Sequence, residues 1–280
     1  MEILINSSPA DITLENEKTI GDVLAGMEQW LAGSGNRLSG LLIDGKMISA
    51  RELDGVFGLE LKGLKTLDIR ISSWQELAAE ALGVLRETCN LYASASFEDR
   101  SGIYAYWESS PAAAFLADRI PDMAAFAART FQGEGLAPGA LGVLAEERLR
   151  ELGDPAGETA AIEGLVSEIA ARMEDLPLDI QTGKDARAAE TMQLFSRIGE
   201  KLFRILFILR LSRQGAEDFT VNGLHVREFM DDFNAALKEL TAAYENRDSV
   251  LIGDLAEYEM APRLIQFYSA LKERSAVSTP

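Results

Sequence analysis

The chain holds one histidine, His225, and one cysteine, Cys89, within 280 residues. That scarcity decides much of the chemistry. A Ser-His-Asp or Cys-His site would have to be built on His225. Cys89 falls on the apolar side of its helix, with Trp74, Leu77, Ala78, Ala81, Leu82 and Leu85, which predicts a buried and unreactive thiol. A lone cysteine allows neither an intramolecular disulfide nor a cysteine zinc cluster. Carboxylates are plentiful late in the chain: Glu228, Asp231 and Asp232, then Asp254, Glu257 and Glu259. Spacings of three and four put some of them on one helix face. A di-iron bundle would typically want two Glu-x-x-His motifs, and His225-Val226-Arg227-Glu228 runs in the wrong order. No calcium loop, nucleophile elbow or P-loop is written in the chain. Gly33-Ser34-Gly35 with Gly40 lies between a helix and a strand, the reverse of a dinucleotide loop. These residues predict no catalytic, cofactor or metal site, with a carboxylate-only hydrolase as the remaining enzymatic alternative.

Composition points the same way. Lysine and arginine number 27 against 45 acids, a net charge of −18. A polyanion such as nucleic acid, or an anionic membrane surface, would be repelled by that field. A basic protein partner is compatible with it. The start of the chain lacks a basic segment followed by a long apolar one, so the sequence reads as cytoplasmic. The longest apolar run, Leu202–Leu211, contains Arg204 and Arg210 and is about half a membrane span. At 47% apolar and 26% charged residues the chain is of ordinary globular composition. Its length predicts two domains.

The elements divide at Ser73. Before it, Ile3 and Ile5, then Ile12 and Leu14, alternate with polar neighbours on either side of Ser7-Ser8-Pro9-Ala10, predicting a hairpin with its second strand at 11–15. Thr19 reads as an N-cap with Asp22 at N3, opening a helix through Ile20, Val23, Leu24, Met27, Trp30 and Leu31 that stops at Gly33-Ser34-Gly35-Asn36. Leu41-Leu42-Ile43 is a strand, Asp44-Gly45 a tight turn into Lys46-Met47-Ile48, and Thr66–Ile71 a last strand with Leu67, Ile69 and Ile71 on one side.

This order and its residues (Ile3-Leu4-Ile5, Asp11–Glu15, Thr19-Ile20, Leu42–Lys46 and Thr66–Ile69) resemble ubiquitin-like β-grasp domains over residues 1–73. The resemblance implies a β-grasp fold and a partner surface on the outer sheet face. Alternation puts Leu4 and Leu42 there, together with Asp68 and Arg70. A conjugated modifier of that family ends in a free diglycine; here Ile71-Ser72-Ser73 continues into Trp74, so conjugation is not expected.

From Ser73, a capping box with Glu76, the chain reads as helical: about 111–131 after Ser110-Pro111, 139–152, 159–175, 185–213, 225–245 and 249–273, with Pro262 kinking the last. Val221-Asn222-Gly223 is a turn. The domains expected are thus 1–73 and 74–275, with a sub-boundary near 153–157 and a frayed tail at 276–280. The fold class expected is α+β, a ubiquitin-like domain followed by a mainly helical bundle. Leu202–Leu211 is apolar most of the way round, as in a central bundle helix; an open side carrying Phe203 and Phe207 would instead receive a partner helix or a second copy of the chain. Arg197, Lys201 and Arg204 form a basic stripe expected to pair with the acidic helices that follow. Gly102–Trp107 concentrates aromatic residues and is expected mainly in the core.

The function expected is a non-catalytic cytosolic adaptor or scaffold that binds a protein partner through Leu4, Leu42, Arg70, Phe203 and Phe207. An acidic helical chaperone that masks an apolar client helix is the alternative.

Overall fold

The computed structural model describes residues 1–14, 16–32, 34–49, 52–211 and 219–276, with the side chains of 211 and 276 left aside. The expected stop at Gly33, the strand end at Glu15, residues 212 and 213 of the expected long helix and the tail from 277 lie outside them. The molecule is mixed α+β, a sheet followed by a helical region, and its chain divides into two units, Met1–Leu149 and Arg150–Pro280.

The first unit opens with β1 (Glu2–Ile5), β2 (Ser8–Pro9), α1 (Ile20–Leu31), β3 (Asn36–Ile43), β4 (Lys46–Ile48), the single turn α2 (Leu53–Val56) and β5 (Thr66–Ser73). The sheet order is β2-β1-β5-β3-β4, with β1 parallel to β5 and the other pairs antiparallel. Ile20, Val23, Leu24 and Met27 of α1 pack on Ile3, Leu41, Leu67 and Ile69. Each of these strand residues is two positions from its neighbour on the same face, as the sequence alternation requires. Thr19 caps α1: its Oγ1 accepts from the Asp22 amide at 3.2 Å, while the Asp22 carboxylate accepts from the Thr19 amide at 2.9 Å. Amide bonds from Lys18 and Thr19 hold the Asp22 carboxyl below its usual range. The turn at Asp44-Gly45 has φ of 49° and 81°, the left-handed pair a two-residue hairpin needs.

The first hairpin departs from expectation. Its turn is Asn6-Ser7 and its second strand only Ser8–Pro9. Ile12 and Leu14 still pack against the core, but residues 11–14 are not paired in the sheet. Alternation reports which way side chains face, not whether the backbone pairs. Pro9 offers no amide to continue the ladder.

The remainder of this unit is helical: α3 (Trp74–Ser94), α4 (Phe97–Glu108), α5 (Pro111–Arg119), α6 (Pro121–Phe131) and α7 (Pro138–Gly153), whose last residues from Arg150 belong to the second unit. Ser73 ends β5 and caps α3 in the expected box with Glu76. The expected helix 111–131 is two. Pro121 disfavours helical backbone at Ile120, which takes φ −137° and ψ 63°. The aromatic stretch splits: Trp107 is buried edge-on to Phe131 at 6.2 Å and Tyr104 lies 6.1 Å from the same ring, while Tyr106 is exposed. Cys89 is fully buried, and burial pushes its thiol up to about 11. We expect no reaction with a thiol-specific disulfide reagent at pH 8 in the folded state and one equivalent after unfolding in guanidinium, read by absorbance.

The second unit contains α8 (Pro155–Ala161), α9 (Glu163–Glu174), α10 (Leu176–Gln181), α11 (Asp185–Leu211), the small hairpin β6 (Thr220–Val221) and β7 (Leu224–His225), α12 (Val226–Glu245), α13 (Ser249–Asp254), a π-helical turn at Leu255–Met260 and α14 (Ala261–Ala276). The π turn sits just before Pro262, which has no amide to donate and crowds the preceding turn; the wider winding is where the expected kink is absorbed. The core of this unit is aromatic: Phe195, Phe203, Phe229, Phe233 and Phe267 meet at centroid distances of 5.0–6.1 Å.

Candidate functional site

The register of the five strands aligns one row across the sheet face opposite α1. Leu4 pairs with Pro9 on one side and Asp68 on the other; Leu42 pairs with Asp68 and with Met47. The row therefore reads Pro9–Leu4–Asp68–Leu42–Met47, apolar throughout except at its centre. Leu4 and Leu42 are half-buried, and Met47 is 58% exposed.

Asp68 is only 7% exposed, which a carboxylate tolerates when its oxygens are bonded. The Asn6-Ser7 turn supplies that. Ser7 donates its amide at 3.0 Å to Oδ1 and its hydroxyl at 3.1 Å to Oδ2. Arg70 lies 3.0 Å from Oδ2 and donates at 2.7 Å to the Ser7 hydroxyl. Asn6 pins the turn from the other side: its side chain accepts from the Ile71 amide at 2.9 Å and donates to the Ile71 carbonyl at 3.0 Å. Asn6 and Ser7 both have positive φ, 49° and 64°, a conformation that side-chain-bearing residues hold only when surroundings over-determine it. The network neutralises Asp68 internally and leaves an apolar strip around a fixed polar centre. Chemically, such a surface can bind an apolar partner.

Of the residues expected to bind a partner, Leu4, Leu42 and Arg70 thus share one face, with Arg70 occupied by Asp68 and Ser7. Pro9, Met47 and Ser7 join them unforeseen. Only the strand register brings Pro9 and Met47 into line with Leu4, although the Asp44-Gly45 turn fixes the Leu42–Met47 pair from sequence. Phe203 and Phe207 lie on α11 in the other unit. Phe203 is half-buried and packs edge-on against Phe233 at 5.5 Å and on Phe267 at 5.0 Å, so its ring belongs to the core; Phe207 is about half exposed. Leu202, Ile205, Leu206, Ile208 and Leu209 are buried, as in a central helix.

Two cations of the α11 stripe, Lys201 and Arg204, pair with acids that precede them in the chain. Arg204 donates to both oxygens of Glu151 at 2.9 Å, and Lys201 donates to Glu158 at 2.7 Å. Glu151 and Glu158 lie at the end of α7 and on α8, against which α11 packs; the late acidic helices keep their carboxylates mostly at the surface. Burial alone would raise the Glu158 carboxyl, but Lys201 and Arg150 outweigh it and hold it below the ordinary range. A carboxyl lowered in the folded state contributes stability above its unfolded value of about 4.3 and loses it as pH falls through the folded value. We expect Glu158→Gln to destabilise the protein at pH 7 and to approach wild type near pH 3, read by urea midpoints.

His225, the lone histidine, caps α12, its Nδ1 accepting the Arg227 amide at 3.2 Å. Among the described residues no group of three or more histidine, cysteine or acidic side chains is arranged to hold a metal, and no helix is long and apolar enough to cross a membrane.

Two family models match the chain. Residues 1–73 are similar to the TP0873 N-terminal domain, and residues 159–270 to a domain of unknown function, DUF8042. The first match ends at Ser73, where strand gives way to helix. An uncharacterized protein of Treponema pallidum (strain Nichols) is 22% identical over 262 residues, which cover 94% of this chain and 92% of the relative. No solved structure matches the chain.

Proposed function

We propose that residues 1–73 form a ubiquitin-like β-grasp domain and that the protein is a non-catalytic cytoplasmic adaptor that binds a protein partner on the outer face of that domain's sheet. The fold reading is supported by the sheet order β2-β1-β5-β3-β4, with the first and last strands parallel at its centre and one helix across one face. The single observation that carries the function is the in-register row Pro9–Leu4–Asp68–Leu42–Met47, an apolar strip whose central acid is already satisfied. Large apolar side chains around a fixed polar centre are the makings of an interaction hot spot. Non-catalytic action is supported by what the two rarest side chains do: Cys89 fills core and His225 caps a helix. An open apolar side on α11 that could receive a partner helix finds little support, since between Leu202 and Arg210 only Phe207 and Arg210 are exposed.

The reading is tested by affinity capture with the full chain and with the full chain carrying Leu4→Asp and Leu42→Asp. A protein bound stoichiometrically by the first and lost from the second, with both baits equally folded by circular dichroism, supports it. A partner retained by the double variant moves the function to another surface.

A further inference from the structure

The β3 strand outruns the strand beside it. Asn36–Ile43 pairs with β5, with a bulge at Ser39, whereas β4 pairs only with Leu41–Ile43. Among the described residues nothing pairs with Asn36–Gly40 on the side away from β5. An edge of this kind turns main-chain donors and acceptors outward, a template for another extended backbone. The same stretch borders a groove of about 350 Å³ between β3 and α1. Leu24, Leu38, Leu41 and Ile48 give the groove an apolar lining, with Phe57 38% exposed at its rim. Leu38 and Leu41 are three residues apart and would face opposite ways in a regular strand; the bulge returns both to the α1 side. Gly21 and Ala25, one turn apart on α1, bring no bulk to the slot. Glu28 is the charged lining residue. A second copy of the chain is a poor fit: the bulge twists the edge away from flat pairing, and two chains of net charge −18 repel.

We infer that the β3 edge accepts an extended segment of a protein partner as an added strand, with apolar side chains at alternate positions entering the groove beside α1. Main-chain bonds to Asn36–Gly40 hold the segment. Alternation supplies the specificity, because every second side chain of the added strand turns to the α1 side and meets Leu24, Leu38, Leu41 and Ile48. Glu28 and the acidic chain select a segment without net negative charge. The edge and groove share no residue with the Pro9–Leu4–Asp68–Leu42–Met47 row, so this inference and the proposed function fail separately. Ala25 makes the inference testable. It is exposed on α1 and lines the groove, so Ala25→Trp fills the slot from outside the core.

The probe is a displayed library of random linear peptides selected on the immobilised full chain and counter-selected on Ala25→Trp. Enriched peptides are expected to alternate Val, Ile, Leu or Phe with other residues and to carry no net negative charge. A synthetic copy of the most enriched peptide should bind about tenfold or more weakly to Ala25→Trp. On the unaltered chain it should slow amide exchange within Asn36–Gly40. Methylating the peptide's backbone nitrogens one at a time should weaken binding about tenfold at every second position and little in between, because only half of an added strand's amides face β3. That scan uses the unaltered chain and so does not depend on how Ala25→Trp folds. Failure to enrich any sequence, a methylation scan without alternation, unchanged exchange in Asn36–Gly40, or self-association of the chain that Ala25→Trp abolishes would overturn the inference.

Discussion

Replacing Glu151 with alanine is expected to cost about 3 kcal/mol of folding stability, the low end of what breaking a buried ion pair costs. The Glu151 side chain is 1% exposed and takes both forks of Arg204 at 2.9 Å, with Lys201 a further 3.5 Å from Oε1. Removing it leaves two cations facing the site. Lys201 keeps Glu158 at 2.7 Å, and Arg204, with 26% of its side chain exposed, recovers some hydration. That is why the low end applies. Glu151→Gln, which keeps acceptor and shape, should cost less. Pairing Glu151→Leu with Arg204→Leu should recover much of the deficit, because no charge is then stranded. Denaturant midpoints for the set, at constant slope, measure this. A loss below about 1 kcal/mol for Glu151→Ala would mean that the network is solvated and structurally idle.

Phe233→Ala should cost more, about 3–5 kcal/mol. Phe233 is fully buried on α12. Its ring stacks on Phe195 at 6.0 Å, meets Phe203 edge-on at 5.5 Å and lies 6.1 Å from Phe229. Deleting it removes the transfer energy of a whole ring and leaves a void bounded by three other rings, too rigid to collapse into the space. Phe233→Leu keeps most of the volume and should cost clearly less. Thermal and urea unfolding of both variants supply the comparison. A Phe233→Ala chain as stable as Phe233→Leu would show that the void closes by repacking.

Some of this architecture is legible in sequence because its causes are local. Both capping boxes, Thr19 with Asp22 and Ser73 with Glu76, need residues three apart. The Asp44-Gly45 turn needs two residues that accept positive φ. Alternation in β1, β3 and β5 placed Leu4, Leu42, Asp68 and Arg70 on one sheet face, because side chains alternate along any strand. What sequence does not carry is pairing. Nothing near Ser7 announces Asp68, 61 residues away. Positive φ at Asn6 and Ser7 is stabilised by β5, so the first turn falls earlier than its local composition implies. Charge pattern alone points the α11 cations to the acidic helices downstream, whereas folding brings Lys201 and Arg204 to Glu158 and Glu151 upstream. Phe203 lies on a stretch apolar all round, and only the packed bundle separates its inward ring from the outward Phe207. Pro121 is a local signal, and its effect on Ile120 could have divided 111–131 without a structure.

The central claim, that the outer sheet face holds a protein partner, is tested most directly by site-specific photocrosslinking. A benzophenone amino acid is placed at Met47, which is exposed at the end of the apolar row, and at exposed Tyr106 as a control. Irradiation in native cells is expected to give a discrete protein adduct from position 47, absent from position 106, and lost when Leu4→Asp and Leu42→Asp are introduced. No adduct at 47, or one that persists in the double variant, would contradict the claim.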